Sequence, residues 1–254
     1  MKSGDNKSFP ICRLCGKNEA SCKAHIIPRK FYHRMRSGAP HLAVVDPQNP
    51  QRRLTSQSGI HEQGLLCSEC DGKIGLLDNY AYTILPEFPD KTKIHPLPIL
   101  KNMSIVDMGE IDLPRFFQFA VSLAWRAGIS SHPFFEWVKL GSYEERLRQY
   151  LLAGIATPKP EISVLVNLFQ PPEFEKIMPH PNSAKFSGRN VIVFYLYPWK
   201  LVIKLDRRPF DDSLNKMVLA ADGNSIAMVQ NYLTRGEIAY LNNVRQKHLQ
   251  SKGQ

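Results

Sequence analysis

Four of the five cysteines of this 254-residue chain stand in two C-x2-C pairs, Cys12-Arg13-Leu14-Cys15 and Cys67-Ser68-Glu69-Cys70. A C-x2-C sets two sulfurs on one tight turn, and two such turns supply the four thiolates of a closed, tetrahedral Zn-S4 site. The alternative is four unrelated buried thiols acting as small apolar residues. It would have to place four of five cysteines at ligand spacing by chance. Cys12, Cys15, Cys67 and Cys70 are therefore read as structural Zn²⁺ ligands. Between the pairs stands His25, followed by Ile26-Ile27-Pro28. An imidazole that is neutral near physiological pH can take a proton from water, although a lone histidine is more often an ordinary hydrogen-bonded residue. Cys22, beside Lys23, is read as a spare interior thiol rather than a nucleophile.

Positive charge collects around the same residues. The chain is net +10, and residues 1–40 hold nine Lys and Arg against Asp5 and Glu19, which places +7 of that total there. A focused basic patch suits a polyphosphate partner; a merely solvated basic face is the plainer reading. Arg29, Lys30, Arg34 and Arg36 directly follow His25 and are assigned to phosphate contacts, which need only cations and read no sequence. Phe31 and Tyr32, interleaved among them, either stack on an unpaired base or pack into a small core. His33, His41, His61 and His95 have no paired spacing and are read as surface residues.

The elements that must hold these groups follow from pattern. Residues 1–9 are polar and expected to be disordered. Residues 10–28 should form a turn-rich knuckle and a strand ending near Ile27, with a short helix from Phe31 to Met35. Residues 37–60, rich in Pro, Gly, Gln and Ser, read as a surface insertion with one hairpin around Leu42–Val45. A helix is expected over Asp71–Tyr82 (Ile74, Leu77 and Ala81 at helical spacing). Asp71 is a candidate N-cap for it. Residues 86–112 carry four prolines and read as a connector with a strand or two. Strong helix signals cover Leu113–Gly128, with Pro114 in the first turn, and Ser142–Leu152, with Glu144 and Glu145 at its start. Beyond Pro158-Lys159-Pro160 the pattern turns to strands: Ile162–Phe169, Val191–Tyr197, Trp199–Leu205 and Met217–Ala221. Tyr197-Pro198-Trp199-Lys200 reads as a hairpin corner, and residues 234–250 as a closing helix.

Taken together, Cys12-x-x-Cys15-Gly16, then His25-Ile26-Ile27-Pro28, then Leu65-Leu66-Cys67-x-x-Cys70 resemble the HNH endonucleases, also called His-Me finger or treble-clef nucleases. The resemblance covers residues 10–82, about the first third. It implies that His25 is the general base that activates a water against phosphorus. It also implies a divalent cation, Mg²⁺ or Mn²⁺, to stabilise the phosphoryl oxygens. The family pattern has an Asp before that histidine, an Asn shortly before the second cysteine pair and a His directly after it. Here Ala24 replaces the Asp, Glu62 falls near the Asn, and Asp71 stands at the final His. A carboxylate is a sound ligand for a hard cation, so the implied site is His25, Glu62 and Asp71, with Asp78 further along the helix.

The expected class is α+β: a zinc-knuckle (treble-clef or ββα-like) module over residues 10–85, with its insertion at 37–60, then a mixed helix and antiparallel-strand region over 86–254. The function implied is a metal-dependent nucleic-acid endonuclease. By family analogy such enzymes serve bacterial restriction or antiviral defence. The other reading is a non-catalytic zinc-knuckle nucleic-acid-binding or assembly protein with a degenerate site, as Ala24 suggests. DNA is placed ahead of RNA as partner, although no residue separates the two, and residues 86–254 are open to a protein partner. The start of the chain has no apolar signal segment, and Val191–Tyr197, the longest apolar run, is far too short to span a bilayer. A cytoplasmic location is expected, and reduced thiols fit it.

Overall fold

The computed structural model describes residues 8–36, 42–45, 53–56, 58–96, 104–154, 161–171, 178–219, 225–239 and 242. Residues 1–7 of the expected disordered tail, His41, most of the 37–60 insertion and the greater part of the expected closing helix lie outside these. Within them, residues 235–239 are helical.

The N-terminal third runs in the order turn, hairpin, helix. The Cys12–Cys15 turn closes with the Gly16 amide donating to the Cys12 carbonyl at 2.8 Å. Strand β1 (Lys23–His25) follows, then helix α1 (Arg29–Arg36) and the hairpin β2 (Leu42–Val45) with β3 (Arg53–Ser56), which fulfils the expectation of one hairpin in the insertion. Strand β4 (His61–Gln63) returns antiparallel to β1, pairing Ala24 with Glu62 and His25 with His61. Helix α2 (Ser68–Ile84) completes the unit. It starts three residues earlier than its apolar period suggests, because Cys67 occupies the N-cap position. Asp71 is thus inside the first turn and is not the cap.

Strands β5 (Ile94–Pro96) and β6 (Ser104–Asp107) lead to α3 (Leu113–Ile129) and α4 (Tyr143–Leu152). Asp112 caps α3 by accepting from the Arg115 amide at 3.0 Å. The remaining elements are β7 (Ile162–Phe169), β8 (Asn182–Phe186), β9 (Arg189–Leu196), β10 (Trp199–Leu205), the single turn α5 (Asp212–Asn215) and β11 (Ile226–Gln230). They build a seven-stranded sheet in the order β5-β6-β11-β7-β10-β9-β8. Every neighbouring pair is antiparallel except β11 with β7, which is parallel and departs from the all-antiparallel expectation. The expected strand at 217–221 is not formed by its described part. Val218 and Leu219 lie on a loop whose apolar side chains cover the sheet, with one ladder-like bond from the Leu219 amide to the Val164 carbonyl. Strands β8 and β11 lie outside the expected runs: each has only five residues, and the first is half-polar.

Alternation along β10 explains the layering. Trp199, Leu201, Ile203 and Leu205 join the main core under α3, while Val202 belongs to a second cluster with Leu165, Val191, Phe210 and Val218 on the opposite face. Lys200 and Lys204 fall on that second face and are buried, so each needs partners. Lys200 meets Gln230 and, at 3.1 Å, Glu237; Lys204 donates to the Asp206 and Arg208 carbonyls at 2.9 Å.

Helix α3 is apolar nearly all round, which suits a helix enclosed on every side. Its buried residues join one core that runs from Cys12 and Phe31 to Leu201 and Ala227, so both segments share it. Polar bonds reinforce the junction: Arg13 donates to the Ile129 carbonyl at 3.0 Å and pairs with Glu144 at 2.9 Å, and Arg148 donates to the Leu14 carbonyl at 2.7 Å. No described helix is long and apolar enough to cross a membrane.

Candidate metal centre and active site

The two cysteine pairs meet. One pair comes from the turn, the other from the N-terminus of α2, and all four sulfurs lie within 4.8 Å of one another. Cys15 and Cys67 are 3.9 Å apart, close to the ~3.8 Å edge of a tetrahedron built on a 2.3 Å Zn–S bond. The Asn18 amide group lies 3.9 Å from the Cys67 sulfur. Backbone amides of Asn18 and Lys17 draw the Cys15 thiol down to about 6, while burial pushes those of Cys12 and Cys70 up. Four sulfurs so close can all ionise only with a cation among them, and a helix N-terminus adds favourable potential. The cluster could hold a structural metal ion such as zinc, as its spacing leads one to expect. Cys22 stands apart, half-buried, with its thiol 3.3 Å from the Ser68 hydroxyl.

The Cys12–Cys15 turn precedes the antiparallel β1–β4 pair in the chain and α2 follows it, and His25 ends the first strand. The His25 Nε2 lies 3.0 Å from the Ser58 carbonyl oxygen. A carbonyl only accepts, so Nε2 carries the hydrogen and Nδ1 keeps the lone pair. Burial lowers the His25 pKa below its usual 6.5, and the His61, Arg29 and Arg126 charges act the same way. The ring is therefore neutral at physiological pH, with one nitrogen able to accept a proton.

Ala24 is fully buried and points to the opposite face from His25, as strand alternation requires. Glu62, its cross-strand partner, shares that face, so the structure does not bring Glu62 to His25. Its carboxylate instead accepts from the Ser130 hydroxyl at 2.6 Å, the Ser131 hydroxyl at 2.5 Å and the Ser131 amide at 3.1 Å. It fastens the hairpin to the end of α3. His61 is the residue that faces His25, with ring centroids 5.6 Å apart.

Asp71 and Asp78 lie two turns apart on one face of α2. Burial raises the pKa of both carboxyls, opposed in each case by the positive Arg126. Both oxygens of Asp78 are taken by Arg126, at 2.7 and 2.9 Å. That engagement removes Asp78 as a cation ligand and leaves Asp71 as the available helix carboxylate. Among the described residues, only the four cysteines bring three or more ligand atoms together.

The four assigned cations divide. Arg29 and Lys30 are exposed in the first turn of α1; Arg29 donates to His33 at 3.0 Å, and the Lys30 ammonium sits 5.2 Å from the Tyr82 ring centre. Arg34 is only 7% exposed and stacks on Phe31 and Tyr82, so it packs inward rather than facing a ligand. The Arg36 side chain is outside the described residues. Phe31 and Tyr32 are core residues and offer no stacking platform.

Arg126 is a functional residue that the sequence motifs do not mark, although an arginine in the apolar stretch Ala120–Ile129 is itself a signal of a buried partner. The Ser58 carbonyl carried no signal at all. No protein-family model, curated protein or solved structure matches the chain.

Proposed function

We propose that the protein is a nucleic-acid endonuclease of the HNH type, with His25 as the general base of phosphodiester hydrolysis. The observation that supports this most is the orientation of His25: Nε2–H is committed to the Ser58 carbonyl, and Nδ1 is left as the basic nitrogen of a neutral ring. The order of cysteine turn, hairpin and cysteine-headed helix is the scaffold expected of a treble clef around zinc. In this reading Nδ1 takes the proton of the attacking water, and Arg29 and Lys30, exposed in the first turn of α1, hold flanking phosphates. Asp71 would hold Mg²⁺ or Mn²⁺, which when bound stabilises charge on the phosphoryl oxygens. One carboxylate suffices for a cation of this class when substrate phosphate and water fill the other positions.

A specific observation favours the second reading, a nucleic-acid-binding or assembly protein without catalysis. Ala24 and Glu62 supply no ligand on the His25 face. Incubation of plasmid DNA and single-stranded RNA with Mg²⁺, Mn²⁺ or EDTA separates the two, with Asp71→Asn as the probe of the cation. The nuclease reading expects metal-dependent cleavage that Asp71→Asn abolishes. Binding without cleavage in every condition would establish the second. Restriction or antiviral defence, in a bacterial cytoplasm, is the setting that suits a stand-alone nuclease of this type.

A further inference from the structure

Every N–H of the Arg126 side chain has an acceptor. Nη1 donates to the His25 carbonyl at 2.7 Å and to Asp78 Oδ2 at 2.9 Å. Nη2 donates to Asp78 Oδ1 at 2.7 Å and to the Ser122 hydroxyl at 3.4 Å, and Nε to the Ser122 carbonyl at 3.3 Å. A guanidinium has five N–H donors, so none remains for substrate, and at 1% exposure none could be reached. Arg126 is not a phosphate contact.

Stability alone does not account for it either. A buried ion pair is often no more stabilising than apolar side chains of the same volume. What distinguishes this pair is its third partner, the main chain of His25. Strand β1 has only three residues, and the next bond after His25, from the Ile26 amide to the Ile60 carbonyl, is stretched to 3.4 Å. A strand end so lightly paired would fray, and the imidazole would swing with it. Arg126 comes from α3, the most enclosed helix of the molecule, and Asp78 from α2, the helix that carries the second cysteine pair. One planar group thus ties the His25 backbone to two rigid elements.

We propose that Arg126, held by Asp78, is a positioning residue that fixes the main chain of His25. Together with the Ser58 carbonyl on the ring, it aims Nδ1. The kinetic part of this proposal rests on the nuclease reading; the structural part does not. A displacement of about 1 Å in a reacting group costs on the order of 10²-fold in rate, so loss of the anchor should lower kcat without changing KM.

The test uses the full chain labelled with ¹⁵N-histidine, as wild type, Arg126→Lys and the double variant Arg126→Leu/Asp78→Leu. Lysine keeps the charge but loses the planar fork. The double variant leaves no buried charge unpaired, which guards against simple misfolding. Wild type should show His25 as a single Nε2–H tautomer. Both variants should keep bound zinc and a cooperative melt, show averaged tautomers at His25, and lose about 10²-fold in kcat at unchanged KM. A folded variant with the wild-type tautomer and wild-type kcat would overturn the proposal. If wild type cleaves neither DNA nor RNA, the nuclease reading fails and the tautomer alone decides: averaging in the variants supports the anchor, and an unchanged single tautomer overturns it.

Discussion

The cysteine cluster and the surroundings of His25 lie on the same hairpin–helix unit, yet they are assembled in opposite ways. Each cysteine pair is local, two sulfurs three residues apart on one turn, and the two pairs close on each other through a hairpin and a helix start. The His25 setting is drawn from afar: Ser58 is 33 positions away, and Arg126 is 101 positions away on a helix of the second segment. The cluster could therefore hold an ion with residues of the N-terminal unit alone, whereas the His25 main chain meets Arg126 only where α3 docks. Spacing along the chain assembles the one, and the shared core assembles the other.

Breaking the cluster should have the largest effect. Cys70→Ala, or stripping the metal with a chelator, should remove folding energy approaching about 10 kcal/mol. The expected result is loss of cooperative melting in the N-terminal third, read by thermal circular dichroism beside a zinc assay. Next comes the ion pair on the His25 side. Asp78→Ala leaves Arg126 as an unpaired buried charge and should cost about 3–5 kcal/mol in urea unfolding. By contrast, Lys73→Ala, which breaks the exposed pair with Glu69, should leave stability unchanged.

The loop that carries the Ser58 carbonyl offers a sharper probe. Gly59 has φ +91°, and a Cβ there would come within 2.1 Å of the Tyr32 ring. Gly59→Ala should cost about 2 kcal/mol from backbone strain and overpacking, and it should lower activity by more than its stability loss explains. Glu62→Gln is smaller still. If Glu62 only fastens the hairpin to Ser130 and Ser131, the change should cost about 1 kcal/mol and leave kcat intact. A large fall in kcat with the fold preserved would return Glu62 to the active site.

The smallest effect is that of pH. Burial holds the His25 pKa below 6.5 in the folded chain. As pH falls through 6.5 the unfolded chain takes up a proton first, so stability rises with pH in that window. The contribution is present above pH 6.5 and is lost as pH falls towards the folded value. The acid limb of kcat/KM should accordingly lie below pH 6.5, and a limb above it would show that His25 is not buried as described.

What the sequence showed plainly was whatever depends on neighbours along the chain. The apolar run of α3 with its Pro114 and the β-branched runs of β7, β9 and β10 all reappear, β7 and β10 with the expected ends and the others shifted by a residue or two. What it hid depends on register and docking. Glu62 and His61 are adjacent, and only the pairing of Ala24 with Glu62 decides which of them faces His25. Arg34 looked like its neighbour Arg29, but its position on α1 turns it inward against Tyr82. The apolar Val218 and Leu219 resembled a strand because covering a sheet and belonging to one select the same side chains.

The most direct test of the central claim is plasmid cleavage by wild type and His25→Ala with Mg²⁺ present, with zinc quantified in both. The account predicts that wild type nicks the plasmid and that the variant, still carrying its zinc, does not. Equal cleavage by a zinc-loaded His25→Ala protein would contradict it.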